Sequence, residues 1–197
     1  MDVQGDIRSM RKVLQLLSIV VVGIAVALML ISPELVLIFG SPKYREAVYV
    51  IPPVAASVFF IFIYNILSMP QFYYEKTQFL MAASMAAAGA NVVLNFIFIR
   101  LFGYIAAGYT TLACYMLYSV GHYIVSKRIL VNEGIQENLM SPGFLVACSV
   151  FLIGASIICN LIFPYRILRY AILLASAGLV FWKKELLLKT MADIRKK

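Results

Sequence analysis

The chain has 197 residues, of which 63% are hydrophobic and only 13% are charged. Soluble domains average roughly 45–50% apolar and about 25% charged residues, so this composition excludes an ordinary soluble domain. The net charge of +8 does not indicate nucleic-acid binding, because the basic residues stand at the ends of apolar runs and form no stripe interleaved with aromatic residues.

Six apolar runs occupy most of the chain, at 13–31, 47–69, 79–99, 104–125, 143–163 and 167–182. About 20 residues at a rise of roughly 1.5 Å each cross a hydrocarbon core of about 30 Å, and helices bond their own backbone groups there. The sequence therefore predicts an all-α integral membrane protein with six transmembrane helices. It divides into four helices over 1–130, a cytoplasmic loop over 131–142, a terminal hairpin over 143–182 and a basic cytoplasmic tail over 183–197.

The distribution of lysine and arginine predicts the orientation of these helices. The termini and the second and fourth connections carry twelve basic residues: Arg8, Arg11, Lys12, Lys76, Lys127, Arg128, Lys183, Lys184, Lys189, Arg195, Lys196 and Lys197. The other side carries five: Lys43, Arg45, Arg100, Arg166 and Arg169. Because cytoplasmic loops are enriched in basic residues, both termini are expected in the cytoplasm.

The second helix carries two consecutive prolines, Pro52 and Pro53, about two turns from its predicted start. Prolines inside a helix free backbone carbonyls and bend the axis, and neighbouring helices must then satisfy those carbonyls. Two interpretations remain open: a static kink, or a hinge for a gating motion of the kind that transporters place near their pathway.

The third helix carries small and polar residues at a spacing of four, in the stripe Ala83, Ala87, Asn91 and Asn95. An asparagine that faced lipid would leave its amide unsatisfied, so the stripe is expected to face protein or water. It is interpreted either as a packing interface with another helix or as the lining of a polar cavity.

The fourth helix holds the only histidine, His122, near its predicted cytoplasmic end. It is interpreted either as a polar residue satisfied by its neighbours or as a proton relay. The sequence has no HExxH helix, paired intramembrane aspartates, phosphate-binding loop or catalytic triad pattern, and its three cysteines lie in three separate runs. The sequence therefore predicts no enzyme, cofactor or metal site, and it favours a transporter that works through shape and helix motion.

Several short motifs follow one another in a defined order: Ser32-Pro33-Glu34, Phe39-Gly40-Ser41-Pro42-Lys43-Tyr44, Ile51-Pro52, Glu75-Lys76, Asn91-x-x-x-Asn95, Phe102-Gly103-Tyr104, Ala106-Ala107 and Thr110-Thr111. In this order the chain resembles the polysaccharide-repeat (Wzx-like, O-antigen and capsule) flippases of the multidrug/oligosaccharidyl-lipid/polysaccharide (MATE/MOP) superfamily. The resemblance is to their C-terminal portion, from the ninth helix to the fourteenth.

The resemblance implies a fold of two helical bundles in an inverted V, located in the cell inner (cytoplasmic) membrane and working by alternating access. It also implies undecaprenyl-pyrophosphate-linked oligosaccharide as cargo. The expected partners are membrane lipid, the lipid-linked saccharide, and a missing N-terminal bundle or second membrane subunit, without which the chain is expected to be incomplete. Two alternatives stay open: a small homodimeric secondary transporter, and a non-transporting subunit of an envelope-polysaccharide assembly complex.

Overall fold

The computed structural model describes residues 3–182, and every regular element in that range is helical. The elements are α1 (Val3–Phe39), a 3-10 helix (Pro42–Val50), α2 (Ile51–Tyr73), α3 (Gln78–Phe102), α4 (Ala106–Asn132), α5 (Pro142–Ile162) and α6 (Arg166–Trp182). The prediction of an all-α chain is confirmed for these residues. The predicted basic tail, 183–197, lies outside them, and with it six of the twelve basic residues behind the predicted orientation.

Four helical stretches within the described residues are long and apolar enough to cross a membrane: Ile7–Phe39, Lys43–Tyr73, Gln78–Phe102 and Pro142–Ile162. They characterise the chain as a membrane protein. The other two predicted runs coincide with α4, which is the more polar helix, and with α6, which has only 17 residues. The full set of six spans therefore stays a prediction.

The helices α2 and α4 form the centre of the bundle. They pack most extensively on each other, while α1 packs on α2 and α3 packs on α4. The largest buried side chains of α2 include Phe59 and Leu67. The buried residues of α4 include Thr110, Ser119 and His122, so these polar side chains face protein. This central position explains how α4 can be less apolar than its neighbours.

The connections between helices gather alternately at two ends of the bundle. At the end where α1 begins, Arg8 lies 2.6 Å from Glu137 in the α4–α5 connection, and Arg11 forms a second ion pair with the same carboxylate. Hydrogen bonds from Arg11 and Arg8 hold the pKa of the Glu137 carboxyl below its usual value. Lys76, between α2 and α3, pairs with Glu133 at 3.0 Å. These contacts join three segments that are distant in sequence.

At the opposite end, the Tyr104 hydroxyl donates to Glu46 at 3.1 Å, which joins the α3–α4 connection to the 3-10 helix. The most buried contact there is between α6 and α1. Arg169 donates from Nη1 to Glu34 Oε2 at 2.8 Å and from Nη2 to Glu34 Oε1 at 2.9 Å. Nη1 also donates to the Leu30 carbonyl at 2.9 Å. The Arg169 side chain is only 4% exposed, so this two-bond pair fixes the terminal hairpin to α1.

α1 continues as one helix through Pro33. Proline has no N–H group and therefore cannot donate to the carbonyl of Met29, four residues earlier. The buried Ser32 hydroxyl donates to that carbonyl at 2.8 Å instead. The side chain thus satisfies the acceptor that the proline leaves open, and the helix extends to Phe39, where the Gly40 amide donates to Val36.

The predicted position of Pro52 and Pro53 needs a correction. The two turns before them form a 3-10 helix, so both prolines stand in the first turn of α2 rather than two turns inside it. A proline in the first turn of α2 costs no hydrogen bond within α2, because the first N–H groups of an α-helix have no partner inside it. Both side chains are fully buried. Both the static-kink and the hinge interpretations stay predictions.

The helix α4 approaches this junction closely. A Cβ atom built on Gly108 would lie 2.8 Å from Cγ of Pro53 and 2.9 Å from the carbonyl oxygen of Val50. Carbon atoms do not come so close, so glycine is required where α4 crosses the start of α2.

Candidate functional site: a polar cleft between α2, α3 and α4

The helix α3 meets the rest of the bundle along one face only. None of its residues is fully buried. The seven half-buried positions are Phe79, Leu80, Ala83, Ala87, Asn91, Leu94 and Asn95. They recur at spacings of three and four, as expected for one helix face, and α3 packs chiefly on α4. All four residues of the predicted small-and-polar stripe belong to this face.

The two asparagines of this face form a short hydrogen-bonded row with α4. Asn95 donates from Nδ2 to Oδ1 of Asn91 at 2.8 Å, and the buried Thr110 hydroxyl donates to Oδ1 of Asn95. Within the described residues, Nδ2 of Asn91 has no acceptor. The row therefore ends in an amide donor that a ligand can use.

A cleft of about 470 Å³ lies beside this row, between α3, α4 and one tyrosine of α2. It is lined by Tyr64, Ser84, Ala87, Ala88, Asn91, Val92, Thr111, Cys114, Tyr115 and Tyr118. None of these described lining residues is charged. The cleft exists because the alanines of α3 are too small to fill the space opposite the tyrosines. A second cleft of about 330 Å³, whose lining includes Ala83 and Ala87, continues along the same interface.

Three tyrosine rings form one wall of the larger cleft. Tyr64 of α2 lies nearly parallel to Tyr115 of α4, with an interplanar angle of 6° and ring centroids 6.3 Å apart. It also packs on Tyr118, with centroids 4.6 Å apart. The hydroxyl groups of Tyr118 and Ser84 are hydrogen-bonded at 2.6 Å, which ties α4 to α3 at the edge of the cleft.

His122 lies one turn beyond Tyr118, fully buried rather than at the surface of the bundle. Its Nδ1 is 2.7 Å from Nε2 of Gln71, which is also fully buried. Three rings surround the imidazole: Tyr118, Phe79 and Tyr64, with centroids at 4.5, 5.5 and 5.8 Å. Two buried atoms of this cluster, His122 Nε2 and Gln71 Oε1, have no hydrogen-bond partner among the described residues.

Sequence reasoning singled out Asn91 and Ala87, which line the larger cleft, and His122, which lies one turn beyond Tyr118 and lines neither cleft, but it missed the tyrosines. A signal was present for two of them, because Tyr115, Tyr118 and His122 follow one another at spacings of three and four on α4. No such signal places Tyr64 or Gln71, which come from another helix. Pro52 and Pro53 do not line the cleft.

The part of the chain that the structure describes contains no group of three or more histidine, cysteine, aspartate or glutamate side chains that could hold a metal ion. Cys114, Cys148 and Cys159 are free thiols, and only Cys114 lines the cleft.

Comparison with known proteins adds no relative: no family model, no curated protein and no solved structure matches this chain. The resemblance to the flippases therefore rests on the sequence motifs alone.

Proposed function

We propose that the chain is part of a flippase that moves lipid-linked oligosaccharide units across the cytoplasmic membrane, with the cleft between α2, α3 and α4 as a site for the saccharide. One observation carries this proposal: the cleft is uncharged, and it combines tyrosine rings with amide and hydroxyl groups. A sugar ring presents C–H faces that pack on aromatic rings and hydroxyl groups that need hydrogen-bond partners. Tyr64 and Tyr115 offer the rings, and Asn91 offers a free donor.

The size of the cleft agrees with this use. Sites for small ligands occupy about 300–1,000 Å³ and combine mostly apolar walls with a few well-placed polar groups. At about 470 Å³ the cleft falls in that range, and its alanines and valine supply the apolar part. The described lining offers no charged side chain that would pair with an amino acid or an inorganic ion.

The charge of the cargo argues for a second component. A pyrophosphate group is best bound by arginine or lysine, and such cations are missing from the described lining of the cleft. α3 also leaves most of its surface uncovered, including Met81, Met85 and Val92. In the proposed assembly, a further bundle covers α3 and supplies cations for the pyrophosphate, so the chain does not transport by itself.

The proposal includes six membrane spans with both termini in the cytoplasm. Single cysteines at positions 43 and 134, introduced after the native cysteines are replaced, test the orientation in intact cells. A membrane-impermeant reagent is expected to label position 43 but not position 134. The reverse pattern would invert the topology.

Complementation tests the transport function. In a strain that lacks its saccharide flippase, the chain alone is expected to insert without restoring surface polysaccharide. Co-expression with a segment that supplies the missing helices is expected to restore it. Full restoration by the 197-residue chain alone would contradict the incomplete-transporter proposal and favour a homodimeric carrier.

In the restored strain, a pair of variants separates the cleft from the general effect of truncating a side chain to alanine. Asn91→Ala removes the free amide donor of the cleft and is expected to reduce surface polysaccharide. Val150→Ala, at a position 66% exposed on α5, is expected to leave it unchanged. Equal effects of the two substitutions, at equal protein levels, would contradict a role of the cleft.

A further inference from the structure

We infer that His122 is a proton-binding site, and that its protonation changes the contact between α3 and α4 at the edge of the cleft. The role of this protonation in transport rests on the proposed function, but the protonation itself does not. Protonation and helix movement are both measurable without any cargo.

The first step is the size of the space around the imidazole. His122 and Gln71 are both fully buried, yet His122 Nε2 and Gln71 Oε1 lack hydrogen-bond partners among the described residues. Neither side chain lines one of the clefts of the α3–α4 interface. A sugar or a hydrated ion therefore has no access to these atoms. A proton needs no cavity, and imidazole is the side chain whose ordinary titration falls between about pH 5 and 8.

The second step is the hydrogen bond between the two side chains. When the Gln71 amide nitrogen donates to Nδ1, the imidazole is neutral and carries its hydrogen on Nε2. When the imidazole takes up a proton from solvent, an N–H bond forms at Nδ1, and this group then requires an acceptor. An amide has almost the same shape after a half-turn, so Gln71 can present Oε1 to that N–H group. A rotation of one amide thus lets the pair accommodate both protonation states, at the loss of the 3.4 Å bond from Gln71 Nε2 to the Leu67 carbonyl.

The third step is the surroundings of the ring. The faces of aromatic rings are negative and attract cations, more strongly where water is excluded. Tyr64 from α2, Phe79 from α3 and Tyr118 from α4 pack around His122. The two tyrosines are the titratable groups that face it, and no carboxylate or cation among the described residues bonds to it. Contact with these rings offsets part of the cost of placing a positive charge in a buried site that has no fixed counter-ion.

The last step links this charge to the cleft. Tyr118 contacts the imidazole and also bonds to Ser84 of α3 through its hydroxyl group at 2.6 Å. Tyr64 contacts both His122 and Tyr118. If the Tyr118 ring turns its face toward a positive charge on His122, its hydroxyl group moves as well. The hydrogen bond from this hydroxyl group to Ser84 of α3 then shifts or breaks. Because α3 is held along one face only, a change at this bond alters the width of the cleft.

The chain contains a single histidine, so the ¹⁵N spectrum of histidine-labelled protein in lipid bilayers reports His122 alone. The expected result is a neutral ring with hydrogen on Nε2 at high pH that becomes an imidazolium ion as the pH is lowered. Gln71→Leu removes the acceptor and is expected to lower the midpoint by about one unit or more, a tenfold loss of proton affinity. A ring that stays neutral throughout, or an unchanged midpoint in Gln71→Leu, would overturn the inference.

The link to α3 is tested by spin labels at positions 81 and 117, both exposed, in a chain without native cysteines. Their distance distribution is expected to change with the same pH midpoint as the imidazole. Tyr118→Phe keeps the ring but loses the bond to Ser84, so His122 should still titrate while the distance stays constant. Titration without any distance change in the parent chain, or an unaltered distance change in Tyr118→Phe, would contradict the link.

Discussion

α4 crosses the start of α2 at Gly108. Even the replacement of this glycine by alanine should therefore change the stability of the fold. In Gly108→Ala the added Cβ would meet Cγ of Pro53 at 2.8 Å and the backbone oxygen of Val50 at 2.9 Å. A proline ring and a backbone carbonyl cannot rotate away, unlike the end of a flexible side chain. α4 must therefore move outward, and the tightest helix pair of the bundle loses contact.

Two opposing terms set the magnitude. Replacing glycine by alanine in a helix gains up to about 1 kcal/mol from backbone entropy and helix propensity. Forcing an extra carbon into a packed interior costs about 1–3 kcal/mol. Gly154→Ala in α5 isolates the first term, because a Cβ there meets nothing within 4 Å. The difference in the free energy of unfolding between the two variants should equal the steric cost, about 1–3 kcal/mol, with Gly108→Ala the less stable.

Reversible unfolding in mixed micelles, followed by circular dichroism, measures both variants against the parent chain. Gly108→Val should be worse than Gly108→Ala, since two further carbons enter the same contact. If Gly108→Ala is as stable as Gly154→Ala, α4 does not approach Pro53 as closely as described, and the central packing of α2 and α4 would have to be revised.

Two further predictions concern the ion pairs at the two ends of the bundle. Glu34→Ala leaves the buried Arg169 without its carboxylate and should lower the free energy of unfolding by about 3 kcal/mol. The double variant Glu34→Ala/Arg169→Met should recover part of this loss. If the effects of the two substitutions simply add, the two side chains do not stabilise the fold as a pair. Because the pKa of Glu137 is lowered in the folded protein, its pairing with Arg11 and Arg8 stabilises the fold fully at pH values above the ordinary carboxyl pKa of 4.5. This stabilisation is lost as the pH falls through the lowered pKa. Glu137→Gln should therefore lower the unfolding midpoint near neutral pH and remove part of its decrease in acid, and an unchanged acid profile would contradict this.

The sequence predicted the helices well, because membrane helices need long apolar runs and their ends carry charges or turn residues. Gly103 illustrates the second signal: it ends α3 with a φ of 77°, as expected for a glycine in that turn. The 3-10 geometry before Pro52 was not predictable from composition, since the residues of this segment are compatible with either helix.

The arrangement of the helices was much less predictable. Lipid is as apolar as the interior, so a run that is apolar on all sides does not reveal which face meets protein. Polar residues were the only useful markers, and they correctly drew attention to the asparagine face of α3. The pairing of Glu34 with Arg169, which are 135 residues apart, and the meeting of Tyr64 with the tyrosines of α4 depend on which helices are neighbours. Spacing along one helix contains no such information.

Photo-crosslinking to the cargo tests the central claim most directly. A photoreactive amino acid at position 88 faces the cleft, whereas the same group at position 85, on an exposed face of α3, does not line it. In membranes that contain the restored transporter and radiolabelled lipid-linked oligosaccharide, position 88 should capture the saccharide and position 85 should not. Capture at 85 equal to that at 88, or none at 88 while transport proceeds, would contradict a saccharide site between α2, α3 and α4.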